Sequence, residues 1–176
     1  MKLWLWLLVA ALPAAAVACG DETASTTGGD ACIDYTTVDV NACSGGPCSF
    51  KDDVLPIYRK SCALSTACHT GATAQEGLVL GKPLMDGDMT QAEVDDAHAA
   101  VVGVDAVRAN MKLVTAGDPS QSWLLAKMEY SKFTDCPDIE CAAKGCGGPM
   151  PTGGAKLPDA EIAVVRAWIQ AGAANN

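Results

Sequence analysis

Two thiols and an imidazole stand close together in SCALSTACHTG, residues 61–71: Cys62, five intervening residues, Cys68 and, directly after it, His69. Two chemistries suit such a set. Two thiols can add to the two vinyl groups along one edge of a porphyrin, and a histidine next to the second thiol then reaches the iron from that same side. Alternatively, the thiols join each other and close a small disulfide loop that ends beside a histidine. The usual attachment spacer is two residues. Here Ala63 to Ala67 intervene, so in the first case the connecting loop has to bulge away from the porphyrin.

Other chemistries fit less well. A zinc site built on Cys62, Cys68 and His69 needs a fourth ligand and reduced thiols. A Cys68–His69 nucleophilic pair lacks an orienting acid, and neighbours in sequence seldom point at each other. GLVLGKP has neither the glycine spacing nor the Ser/Thr of a phosphate-binding loop. DGDMTQAEVDD begins like a calcium loop but has Gln91 where glycine is required and Ala97 where the bidentate Glu should fall. No enzyme activity is expected.

The elements that must position the thiols read as mainly helical. A first helix is expected from Asp52 or Asp53, either of which can cap it, through Val54, Leu55, Ile57 and Tyr58 to the cations Arg59 and Lys60, delivering the chain to Cys62. A second opens at Thr90 with Glu93 as a capping box, and Val94, Ala97, His98, Val101 and Val102 share a face before Gly103 ends it. A third runs from Asp118-Pro119 to about Met128, with Trp123, Leu124 and Met128 facing inward. The last starts at Pro158-Asp159, turns Ile162, Val165, Trp168 and Ile169 inward and stops at Gly172. Leu78-Val79-Leu80 reads as a short strand. The fold class is therefore mainly α: a small helical domain with long loops, stapled by disulfides.

The setting follows from the N-terminus and the cysteine count. Residues 1–18 carry one Lys, an apolar run from Leu3 to Leu12 and a small-residue exit, the layout of an export signal. The run is short for a bilayer span and is followed by Pro13. Ala16-Val17-Ala18-Cys19 resembles a bacterial lipobox, which implies acylation at Cys19 and a membrane anchor facing the periplasm or cell surface, with the outer membrane favoured because Gly20 follows the cysteine. Residues 19–47 then form a lipidated flexible tether and a cysteine-containing arm, and residues 48–176 the domain. Loss of Lys2 with the signal takes the formal charge from −9 to −10. An acidic chain without a Lys/Arg cluster is unsuited to nucleic acid.

Nine cysteines in an exported chain predict bridges. Apart from Cys19, Cys62 and Cys68, three lie in the arm (Cys32, Cys43, Cys48) and three in the loop before the last helix (Cys136, Cys141, Cys146). Three is odd, so if all six are paired, at least one bridge joins arm to loop.

The order of a helix leading into the cysteines, a Gly-rich loop carrying Met-Pro and a closing amphipathic helix resembles the class I cytochrome c domain. More narrowly, DVLPIYRKSCALSTACHTG, GLVL, TAGDPSQSWLLAKM, GPMP and LPDAEIAVVRAWIQAGA look like cytochrome-c-like lipoproteins of bacteria, a resemblance over roughly residues 50–175 with the five-residue spacer as its chief departure. It implies one haem c, thioethers from Cys62 and Cys68, His69 as the fifth iron ligand and Met150 as the sixth, and redox proteins as partners. Met150 otherwise fills a gap beside Trp168. His98 reads as a hydrogen-bonded core histidine and, among the other side chains, as the leading substitute for the sixth ligand. Two functions stay open at this point: a membrane-anchored electron-transfer cytochrome, and a haem-free, disulfide-stapled lipoprotein with a structural or partner-binding role.

Overall fold

A computed structural model describes residues 38–39, 41–129, 136, 139–152 and 156–176. The export segment, Cys19 and Cys32 lie outside these residues. The described part is mainly helical and contains no strand. None of its helices is long and apolar enough to cross a membrane.

The chain enters the first helix earlier than the acidic pair at 52–53 suggests. Ser49 is the cap: its hydroxyl accepts from the Asp52 amide at 3.2 Å, and the Asp53 carboxylate accepts from the Ser49 amide at 2.8 Å. A π-helical turn over Phe50–Val54 follows and runs into α1, Leu55–Ser61, with Pro56 in its first turn, where no amide partner is lost. The C-terminal residue completes this end. Asn176 accepts from the amides of Phe50 and Lys51 and from the Ser49 hydroxyl, so donors that a helix start leaves unpaired are satisfied by the far end of the chain.

Of the two expected cations at the end of α1, Lys60 pairs with Glu161 at 2.6 Å. Arg59 turns inward instead. It is buried and donates to the carbonyls of Lys82, Pro83 and Gly87, fastening the 82–87 loop to α1.

The capping box is present. In α2, Gln91–Ala99, the Glu93 amide donates to the Thr90 hydroxyl at 3.3 Å and the Thr90 amide to the Glu93 carboxylate at 2.7 Å, an arrangement that contributes about 1 kcal/mol. The third element is split. Asp118 caps a 3-10 turn over Pro119–Gln121, and α3 proper is Trp123–Met128. The closing helix α4 spans Asp159–Gln170 and ends in Gly172 and Ala173, both at positive φ.

Leu78-Val79-Leu80 is extended but forms no strand, because its backbone groups pair with one histidine rather than with a ladder. The Leu80 amide donates to the His69 carbonyl at 2.9 Å, and the Leu78 carbonyl faces the His69 ring.

The main core lies where the π turn and α1 meet α4 and α2. Phe50, Tyr58 and Trp168 are its largest fully buried side chains. The Phe50 and Trp168 ring centroids are 5.3 Å apart, and the His98 ring stands edge-on to both at 5.0 and 6.0 Å. A smaller cluster gathers Ala106, Ala109, Met111, Trp123, Ala126, Cys136 and Cys146. Two local disulfides, Cys43–Cys48 and Cys141–Cys146, join residues within the arm and within the loop. Cys43 and Cys48 are buried in the main core, so this part of the arm packs as domain. Cys136 is also disulfide-bonded.

Candidate cofactor site

The motif is folded into a closed loop that disposes of its extra residues. The His69 amide donates to the Cys62 carbonyl at 3.1 Å, and the Cys68 amide to the Ser65 carbonyl at 2.9 Å, so both ends of the spacer are tied. Ala63 is fully buried, while Leu64, Ser65, Thr66 and Ala67 project to the surface. Leu64 and Ala67 also line the cavity on which Cys62 and Cys68 open. Cys62 is buried and Cys68 half-buried, and neither is in a disulfide. Burial pushes the Cys62 thiol up to about 12, with the nearby Cys68 adding to the shift.

His69 is oriented through its backbone neighbourhood. Its Nδ1 lies 3.2 Å from the Leu78 carbonyl, which can only accept, so the proton on this nitrogen is held there, and the Gln75 backbone also bonds to the ring. A carbonyl fixing the tautomer and plane of an imidazole is the usual support of a metal-binding histidine. Burial, ahead of other causes, lowers the pKa of the ring, which favours the neutral form that can coordinate.

These groups open on one cavity of about 660 Å³. Cys62, Cys68 and His69 line it, and so do Met150, Pro151 and Thr152. The remaining wall is largely apolar: Leu78, Leu80, Leu113, Trp123, Leu124 and Met128. The sequence places Met150 more than 80 residues from His69, and the fold brings both to the same space. The Thr152 hydroxyl donates to the Met150 sulfur at 3.0 Å.

The other proposed ligand lies elsewhere. His98 does not line the cavity: its Nε2 is 2.7 Å from the Ala173 carbonyl, and its ring is packed against Phe50 and Trp168. It holds the C-terminal tail in the core. Cys19 is outside the described residues.

Several lining residues carry no signal in a motif search. Met128, which sequence reasoning gives no special setting, is buried against the cavity, and Lys127 beside it is buried too. The available signal was helical spacing, since Leu124, Lys127 and Met128 share one face of α3. A second missed group is the clamp at Glu76, a non-glycine residue at φ +53. Its carboxylate accepts from Arg108 Nε at 2.7 Å and Lys144 Nζ at 2.8 Å, which holds it below the usual carboxylate range, first through Lys144. Arg108 also donates to the carbonyls of Lys144 and Gly145, so three loops around the cavity are tied together.

Comparison with protein-family models, curated proteins and solved structures returns no match. The site therefore has to be judged by its own chemistry. Two thiols outside any disulfide, an imidazole fixed by the Leu78 carbonyl, a thioether and a largely apolar wall share one space. Its 660 Å³ volume lies in the range of cofactor pockets.

Proposed function

We propose that this chain is an exported, lipid-anchored c-type cytochrome that passes single electrons between redox partner proteins through one haem c. The observation that carries the reading is the convergence of Cys62, Cys68, His69 and Met150 on one cavity, with the two motif thiols free. The other described cysteines are in disulfides. A haem-free stapled module would be expected to join Cys62 to Cys68, and among the described cysteines these two are free.

When bound, haem supplies a one-electron ferric–ferrous couple whose potential the protein sets through ligand type and burial. The chain's own residues have three tasks. Cys62 and Cys68 would provide the attachment points, both being free and lining the cavity. His69, with Nδ1 held by the Leu78 carbonyl, would offer its other nitrogen, and Met150, lining the same cavity, would offer a thioether. The apolar wall excludes water, which lowers the reorganisation that accompanies a change of charge.

The test is expression with a working cytochrome maturation system, denaturation, and mass measurement of the peptide spanning residues 61–71. Haem should remain attached through both cysteines. A peptide with a Cys62–Cys68 disulfide and no haem would overturn the reading and leave the stapled lipoprotein. Anchoring is tested separately: Cys19→Ser should release the protein from membranes into the soluble fraction, and undiminished membrane association would place the anchor elsewhere.

A further inference from the structure

Met150 sits in a loop with no helix or strand of its own, so something else must hold its sulfur at a fixed depth in the cavity. The loop is anchored to a single residue of α3. Lys127 Nζ donates to the Cys146 carbonyl at 2.8 Å and to the Gly148 carbonyl, and the Lys127 carbonyl accepts from the Met150 amide at 2.9 Å. These bonds bracket residues 146–150 from both ends. Gly147 lies between the two carbonyls at φ +70, and a Cβ placed there would come within 3.4 Å of the ammonium, so the loop wraps closely around the cation.

The lysine is unusually placed for such a role. Its exposure is 8%, burial pushes its pKa down to about 8, and its ammonium lies 5.1 Å from the centroid of the Trp123 ring. Carbonyl oxygens and an aromatic face are what a buried ammonium needs in place of water. Lys127 lines the same cavity as His69 and Met150, and a positive charge there would disfavour ferric relative to ferrous iron.

We propose that Lys127 is the positioning residue of the Met150 loop, holding it through the Cys146 and Gly148 carbonyls, and that its buried charge raises the reduction potential of the haem. The second half rests on the cytochrome reading; the first does not. Lys127 acts on the ligand through the loop and is not itself a ligand.

Two variants separate geometry from charge. Lys127→Met removes the charge and the donors at similar volume, and Lys127→Arg keeps the charge and can donate to the same carbonyls. In the haem-free protein, amide hydrogen exchange at Met150 should quicken by about tenfold or more in Lys127→Met, with amides of α2 much less affected, and Lys127→Arg should recover most of the protection. In the holoprotein, Lys127→Met should weaken the sulfur-to-iron charge-transfer band and lower the potential, while Lys127→Arg stays nearer the parent in both.

Equal loss of protection at Met150 and throughout α2 would mean that Lys127 merely stabilises the domain, and would overturn the positioning role. An unchanged band and potential in Lys127→Met would overturn the proposal for the holoprotein. If the parent protein takes up no haem, the cytochrome reading and the tuning role fail together. The exchange measurement still decides whether Lys127 holds the loop. Should Lys127→Met not fold, Lys127→Arg alone decides: Met150 protection and the band within reach of the parent support the proposal, and loss of both despite retained charge and donors overturns it.

Discussion

Trp168→Ala is expected to destabilise the domain by about 3–5 kcal/mol, a large share of the total stability of a chain this size. Trp168 is 1% exposed, and its ring is the surface on which Phe50 and His98 pack. Removing it opens a cavity between α4 and the π turn that leads into α1. It also deletes the indole donor to the Ala174 carbonyl at 2.9 Å. That carbonyl belongs to the same tail that accepts from His98 at Ala173 and caps the first helix through Asn176. The loss should therefore spread from the core to the approach to Cys62. Denaturant unfolding of parent and variant in the same state of cofactor loading gives the difference directly. A loss below about 1 kcal/mol would mean that the surrounding side chains collapse into the space.

Much of this arrangement was legible in the sequence because its signals are local. The capping box at Thr90, the stop at Gly172 and the inward stripe of α4 each lie within a turn or two of their cause. What was not legible depends on partners far along the chain. Asp52 and Asp53 are adequate caps on paper, yet Ser49 takes the position, and Asn176, about 126 residues away, supplies the remaining acceptors. Leu78-Val79-Leu80 has strand composition and lacks a strand to pair with.

The candidate site divides in the same way. Cys62, Cys68 and His69 announce themselves by spacing, and the proline-flanked Met150 by resemblance. The groups that orient them do not. Leu78 contributes only a backbone carbonyl to His69, which no side-chain pattern can reveal. Lys127 reads as an ordinary cation near a helix end, and only the fold shows it buried under the Met150 loop. His98 reads from the sequence as a hydrogen-bonded core histidine, and the fold gives it the Ala173 carbonyl as its partner.

On the cytochrome reading proposed above, the sixth ligand gives the second large effect. If the matured protein carries haem, Met150→Ala should leave it covalently attached, because the thiols are untouched. It should abolish the sulfur-to-iron charge-transfer band and lower the potential, since a thioether favours ferrous iron. The size of that drop should be a substantial part of the ~0.8 V range that axial ligation spans. Fold stability in the haem-free protein should change little: Met150 is half-buried, and the amide bond to the Lys127 carbonyl is made by the backbone. Met128 is the competitor, being a second sulfur that lines the same cavity. Its position on α3 is set by core packing, so Met128→Leu should keep the band while costing some stability, of the order of 1 kcal/mol for a near-isosteric swap. If instead Met128→Leu removes the band and Met150→Ala does not, the sulfur comes from the helix and the 146–152 loop is only a wall. Retention of the band in both variants would exclude both sulfurs. His98 could take over only by leaving the Ala173 carbonyl and the rings of Phe50 and Trp168, and an imidazole would not produce a sulfur band.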